Sequence, residues 1–429
     1  MRNLRATHNK IAVSANNRET AINTSRDTDT IILSNLSDII NLEPRKEDNA
    51  DQRLGKEEAD QIYNLGNTAS LTLNFDRAQP QHFAFGLGYA LGNVSTVQES
   101  TSYIHTITPI NGEIDYQRSN PSFSALMQYG DTIFSRLFSS FFVDSATASF
   151  SQDEWCKLKL DIKGTGNFED DMNEILIEAE DSSLIRIDSP PYAVGDSGNV
   201  FDSIHRIQAR LLTEDRWHEV IFHTASKAGG KTIINIDAPN ITVPGLGTLI
   251  QYKILYRAES SFVWPENIVH ESPLRVSDVN VILGGRWDGT NFYGGIPLNS
   301  DLNSLEYTIN NNLKFDFGFN APGGYANRVF REGRDQTISF DRDFKDYILQ
   351  QSCFNNDYFG LKIKATGAEI DSNNNYHVEL IFPRLAILNA PISVENKIVA
   401  EKGDMKVLGS DDYPSVIVKV QNIVENYVS

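Results

Sequence analysis

Runs of alternating polar and apolar residues at both ends of this 429-residue chain constrain its fold more than any other feature. Ser70-Leu71-Thr72-Leu73-Asn74-Phe75 has the two-residue period of a half-buried strand. Trp155 to Gly166, Val276 to Phe292 and Leu361 to Ser429 extend the β-rich pattern into the second half. Strands this far apart in sequence bury their apolar faces by packing together, so the two ends read as one discontinuous domain, 1–169 with 272–429. The segment between them, 170–271, then reads as an insertion.

That insertion has its own pattern. Leu184 to Ile187, Ile204 to Leu211, Trp217 to Phe222, Thr232 to Ile236 and Ile250 to Tyr256 are short strand candidates separated by Pro190-Pro191, Gly229-Gly230 and Pro244 to Gly247. Short strands between such turns predict a small β-sandwich. In the flanking parts one helix is expected after Ser70–Phe75. Pro80 suits its first turn, Phe83, Leu87 and Leu91 recur on one face, and Gly92 sits where a left-handed cap is needed. Phe123 to Val143 fits either strands or a broken helix, and Asp341 is a candidate N-cap for a second short helix carrying Phe344, Tyr347 and Ile348. Residues 43–60 are rich in charged and amide side chains and are expected to be a long mobile loop. The expected class is all-β with minor α.

Hydrophobic content of 40% with 10% aromatics is enough for well-filled cores. Met1 to Thr24 contains Arg2, Arg5 and Lys10 without a following apolar stretch, so no secretory signal is expected, and no run is apolar enough to span a membrane. The net charge of −19 argues against a protein that grips nucleic acid, because that affinity comes from Lys and Arg displacing counterions. The same charge suits a surface past which DNA slides without sticking. Residues 170–271 hold sixteen acids and eight Lys or Arg, which is −8 and leaves −11 for the rest, so the acidity is spread along the chain.

No catalytic signature emerges. Gly195-Asp196-Ser197-Gly198 has the look of a serine-protease nucleophile loop, but Asn199 stands where a third glycine is usual, and a turn between strands is the better reading. Gly230-Lys231-Thr232 resembles the end of a phosphate-binding loop, yet Ala225 replaces the leading glycine, which favours a hairpin turn. His218 and His223 are spaced so as to diverge, no pair of carboxylates is specified by local sequence, and no cofactor or metal site is expected. Cys156 and Cys353 lack metal-ligand spacing; two reduced core thiols are the expected state, with a single bridge the alternative. Trp217, Trp264 and Trp287 would line a sugar-binding face in one reading and fill cores or interfaces in the other, and the second is preferred.

The ordered blocks resemble the major tail tube protein of long-tailed bacteriophages. The resemblance rests on Arg18-Glu19-Thr20, on the helix block Pro80 to Gly92 followed by Tyr103 to Pro109, and on Lys163-Gly164-Thr165-Gly166. It continues through Val279 to Gly285, Ser304 to Asn311, Arg331-Glu332-Gly333-Arg334, Gly360 to Gly367 and Phe382-Pro383-Arg384, covering about two thirds of the chain. The family implies a β-sandwich flanked by short helices, whose protomers join sheets edge to edge into rings, commonly hexamers. Stacked rings form a tube that conducts the genome. A structural virion protein made in the bacterial host cytoplasm is therefore expected, with copies of itself and other tail proteins as partners, DNA passing without specific binding, and no membrane. Residues 43–60 would be the stacking arm, and 170–271, which does not match the family pattern, an outward-facing decoration. The alternative is a sugar-binding or adhesive β-sandwich protein.

Overall fold

The computed structural model describes residues 7, 9–51, 58–130, 133–180, 184–195, 200–212, 216–236, 249–259, 262–266, 268, 270–298, 301–319, 322–395 and 398–429. Among them the chain is predominantly β, with two α-helices. No helix of the described residues is long and apolar enough to cross a membrane. The principal strands, in chain order, are β1 (Asn41–Asp48), β2 (Ile62–Phe75), β3 (Gly92–Glu99), β4 (Ser102–Pro109), β5 (Phe134–Ser151), β6 (Lys157–Gly164) and β7 (Met172–Glu180). Next come β8 (Leu184–Ile187), β9 (Ile204–Leu211), β10 (His218–Glu219), β11 (Phe222–Ala228), β12 (Lys231–Ile236), β13 (Leu249–Arg257) and β14 (Val279–Trp287). The last are β15 (Leu302–Asn310), β16 (Asp335–Asp343), β17 (Phe359–Asp371), β18 (Asn374–Asn389), β19 (Ile392–Glu395), β20 (Ile398–Val407) and β21 (Ile417–Asn422), and the helices are α1 (Pro80–Leu91) and α2 (Ile348–Asn355).

The chain divides into two compact units. The larger takes 12–125, 138–167 and 265–429; the smaller takes 1–11, 126–137 and 168–264. In the larger unit one antiparallel ladder runs β1-β2-β6-β5-β15-β16-β20, and a second runs β3-β4-β21-β18-β17-β14. The sixteen-residue β18 belongs to both: His377–Ile381 pair with β21, and Leu385–Asn389 pair with β20.

Helix α1 has the predicted bounds and ends at Gly92, whose φ of 97° is the left-handed cap. Of the two short helices expected at the flanks, α2 buries Leu349 alone among its residues, whereas α1 buries all twelve. Its sequence, Pro-Gln-His-Phe-Ala-Phe-Gly-Leu-Gly-Tyr-Ala-Leu, carries no charge on any face, so it belongs inside. Gly86 makes close packing possible, because a Cβ there would lie 2.8 Å from the Leu160 side chain of β6. Phe85, Tyr89 and Phe123 form an edge-to-face aromatic cluster beneath the helix.

Two expectations are corrected. Residues 43–48 are not loop: they lie in β1, paired with β2 from Asn41↔Ser70 to Asp48↔Ile62, so this polar stretch is one side of a hairpin. Its side chains face water on both sides, which removes the alternation that would have betrayed a strand. Asp341 is inside β16, and the helix begins seven residues later, at Ile348. The ambiguous Phe123–Val143 forms strands, Phe123–Tyr129 and then β5.

The smaller unit has two sheets, β7-β13-β9-β10 and β8-β12-β11. Ile207, Ile254 and Tyr256 of the first share a core with Ile185, Ile234 and Ile236 of the second. The stretch 126–137 joins this unit through polar contacts: Arg257 donates to Asp171 Oδ2 (2.8 Å) and to Ser135 Oγ (3.0 Å), and His205 Nε2 lies 2.8 Å from the Ile133 carbonyl. Gly229 and Gly230, at φ of 60° and 81°, form the turn between β11 and β12 that the hairpin reading of Gly230-Lys231-Thr232 requires.

Near the N-terminus of the larger unit, the buried Glu19 carboxylate accepts hydrogen bonds from Ser122 Oγ (2.7 Å), Ser124 Oγ (2.7 Å), Ser140 N (2.7 Å) and Ser140 Oγ (2.6 Å). Burial pushes this carboxyl up from its ordinary value, against the pull of those donors. Ser140 adopts φ of 57° inside β5, and the resulting kink turns both its donors onto Glu19. Replacing Glu19 with Ala should therefore strand several buried donors and cost about 3 kcal/mol or more, with Glu19→Gln costing less because its amide oxygen still accepts. Urea-unfolding midpoints of the two variants check this order.

Candidate assembly surfaces

Polar residues from distant parts of the larger unit meet at the two ends of α1. A helix buried at both termini leaves N–H and C=O groups that only other parts of the protein can satisfy. At the N-terminus, Gln81 N–H donates to Glu271 Oε2 at 2.7 Å, and Gln79 N–H donates to His82 Nδ1 at 3.2 Å. His82 stacks on Phe75, 4.1 Å between ring centroids, and burial pushes its pKa down to about 3, so the imidazole is neutral and accepts. At the C-terminus the Ala90 carbonyl accepts from Asn120 and Asn311, and the Leu91 carbonyl accepts from Arg334 and from Ile110 N–H.

Helix α1 packs against β3 and β4. Strand β3 pairs with β4 along its full length, from Gly92↔Pro109 to Glu99↔Ser102, and no strand pairs with its other edge among the described residues. The Ile110 N–H to Leu91 C=O bond sets the phase of this ladder, so Val94, Thr96 and Gln98 turn their N–H groups outward. Gly-Asn-Val-Ser-Thr-Val-Gln-Glu holds no Pro, Lys or Arg, the residues that ordinarily block an open edge, and Val97 is 61% exposed. The outer edge of β1 differs: Pro44, Arg45 and Lys46 blunt it.

Two further surfaces expose apolar side chains. At the start of β2, Ile62 (71% exposed), Tyr63 and Leu65 project from the β1–β2 hairpin. Elsewhere in this unit α2 exposes Ile348 and Phe354 (72%), and the β19–β20 hairpin exposes Ile392, Val394 and Ile398. A buried ion pair secures this second region. Arg342 Nε donates to Glu401 Oε2 at 2.6 Å, its other arm reaches Asp346, and Gln350 Nε2 donates to Glu401 Oε1. Clustered apolar side chains of this kind mark interaction surfaces.

The residues considered for chemistry are dispersed. His218 is exposed on β10 and His223 lies on β11, in a different sheet. Asp196, Ser197, Gly198 and Asn199 lie outside the described residues. Cys156 is buried, with its thiol pushed up to about 12 by burial, and Cys353 is partly exposed; both are free thiols. Trp287 is 5% exposed in a core with Ile381 and Ile417, so the three tryptophans do not make one sugar-binding face. In the larger unit a cavity of about 540 Å³ opens beside Trp155 and Arg275, whose guanidinium lies 5.1 Å from the indole centroid. Among the described residues no group of three or more His, Cys, Asp or Glu is placed to hold a metal ion.

The chain matches no protein-family model and no curated protein sequence.

Glu271 gives the larger unit a pH signature. Burial raises its carboxyl from 4.5 to about 8. A raised carboxyl binds its proton more tightly folded than unfolded, so its stabilisation is complete below about pH 4.5 and is lost as pH rises through about 8. The full loss is about 5 kcal/mol, of which about 3 kcal/mol falls above pH 6. Thermal melts at pH 6 and pH 9 should show a fall of about 3 kcal/mol in the wild type and a smaller one in Glu271→Gln, whose amide oxygen still accepts from Gln81.

Proposed function

We propose that this chain is a structural protein that assembles through its sheet edges into rings, stacked into the tail tube of a long-tailed bacteriophage. The observation that carries the reading is the open outer edge of β3, an eight-residue strand whose alternate residues turn N–H and C=O groups outward and which holds none of the usual blocking residues. An edge of that kind in a soluble chain invites pairing with another copy, and closure into a ring consumes every such edge. The ordered sequence blocks favour the tail tube over other ring assemblies, with six copies per ring as that resemblance implies.

The exposed Ile62, Tyr63 and Leu65 suit the β1–β2 hairpin to a contact between successive rings, which moves the expected stacking arm from a loop to a hairpin. The net charge of −19 suits a conduit, because cationic side chains along the lumen would grip phosphates at every ring and their drag would add along the tube. The mature location is then the virion, the site of synthesis the host cytoplasm, and the partners are further copies, other tail proteins and the DNA in transit.

Negative-stain microscopy and sedimentation velocity of the concentrated protein test this. The wild type should form rings or tubes. The double variant Val97→Lys with Gln98→Pro puts a charge and a missing N–H on the outer edge of β3 without touching the β4 ladder. It should stay monomeric, with a melting temperature close to that of the wild type. A wild type that remains monomeric at every concentration overturns the proposal.

A further inference from the structure

We propose that the outer face of the β7-β13-β9-β10 sheet binds a neutral oligosaccharide, with Trp217 as its stacking platform. The proposal concerns the smaller unit alone and does not depend on ring assembly.

Strand alternation builds the face. Ile175 and Ile177 of β7, Ile207 and Ala209 of β9, and Tyr252 and Ile254 of β13 point into the core. The intervening residues therefore share the opposite face. The register sets them in rows, Glu178↔Gln251↔Arg210 and Leu176↔Lys253↔Gln208↔Glu219, with Glu174 and Arg206 beyond. Trp217 lies against this face, with the Arg210 guanidinium 4.6 Å and the Lys253 ammonium 5.9 Å from its centroid. The indole is partly exposed and does not belong to the core of the unit.

Charge narrows the ligand class. The chain carries −19, and 170–271 carries −8, yet in the rows around Trp217, Glu174, Glu178 and Glu219 balance Arg206, Arg210 and Lys253, and the register position of Glu180, opposite Leu249 at the end of β7, adds one acid. These groups also hold one another. Arg206 and Gln208 Nε2 both donate to Glu219 Oε1, Arg210 Nε donates to Gln251 Oε1 at 2.9 Å, and Lys253 pairs with Glu174 at 3.0 Å. A face so nearly balanced offers little to a polyanion or a polycation. Planar amide, guanidinium and carboxylate groups fixed around an indole offer hydrogen bonds to adjacent hydroxyls, and the ring offers an apolar surface to the C–H face of a sugar. Leu176, 57% exposed, extends the apolar part of the surface.

The full-length protein, labelled fluorescently, is applied to an array of neutral, sialylated and sulfated oligosaccharides, and the best neutral ligand is then titrated calorimetrically. Binding to a neutral oligosaccharide is expected, weakened about tenfold or more by Trp217→Ala. Gln251→Ala, which leaves the indole in place, should weaken it severalfold, and Trp155→Ala in the larger unit should leave it unchanged. Because Trp217 lies outside the core, its Ala variant should keep the wild-type circular dichroism; if it does not, Gln251→Ala and Gln208→Ala decide. Absence of binding to every neutral oligosaccharide, binding confined to sulfated ones, or neutral binding undiminished in the variants overturns the proposal.

Discussion

A helix with no polar face has been placed between ladders of strands, and the larger unit is arranged around the consequences. Burying α1 removes a large apolar surface from water, with Phe83, Phe85, Leu87, Tyr89 and Leu91 all enclosed. It also removes water from both helix ends, where an unpaired N–H or C=O costs a large part of what the burial gains. The partners come from far along the chain: Glu271 at one end, Asn120, Asn311 and Arg334 at the other. These contacts fix how 110–120, 271 and 311–334 approach the helix, and through them they fix the strands those segments adjoin. Glu19 does similar work for the N-terminal segment, drawing Ser122, Ser124 and the kinked Ser140 onto one carboxylate.

Strand β3 pairs with β4 along one edge, and among the described residues its other edge is left without a mate. The two terminal strands of the ladders are treated differently. β1 carries Pro44 and two cations, devices that discourage pairing, while β3 carries none. Such an asymmetry favours association along one edge and discourages it at the other. Exposed apolar residues on the β1–β2 hairpin, on α2 and on the β19–β20 hairpin add further surface, and the buried Arg342–Glu401 pair holds the last of these in a defined shape.

The smaller unit solves a different problem. Its sandwich closes over a core of isoleucines and tyrosines, and strict alternation leaves the opposite face of β7, β13 and β9 to polar side chains. On an open surface those side chains have organised into paired charges and amides around Trp217. The indole lies partly exposed outside that core, among hydrogen-bonding groups and against the cations of Arg210 and Lys253.

Much of the fold was legible locally. Alternation and turn residues are properties of adjacent positions, so the predominance of strands, the bounds of α1 with its Gly92 cap, and the Gly229-Gly230 turn could be read without a structure. Where local pattern was weak the reading failed: β1 has no apolar alternation because both of its faces meet water, and Asp341 has the look of a cap only until its pairing in β16 is known. Pairing is a relation between distant residues, and nothing in Gly92–Glu99 alone says that one edge will be left open. The same holds for Trp217, whose neighbours Arg210 and Lys253 come together through the register of two strands more than thirty-five residues apart. Local alternation was enough to show that this chain is built from strands around apolar cores. Tertiary structure decided which strand edge, which apolar surface and which indole remained available to a partner, because exposure belongs to the packed whole and not to any segment of it.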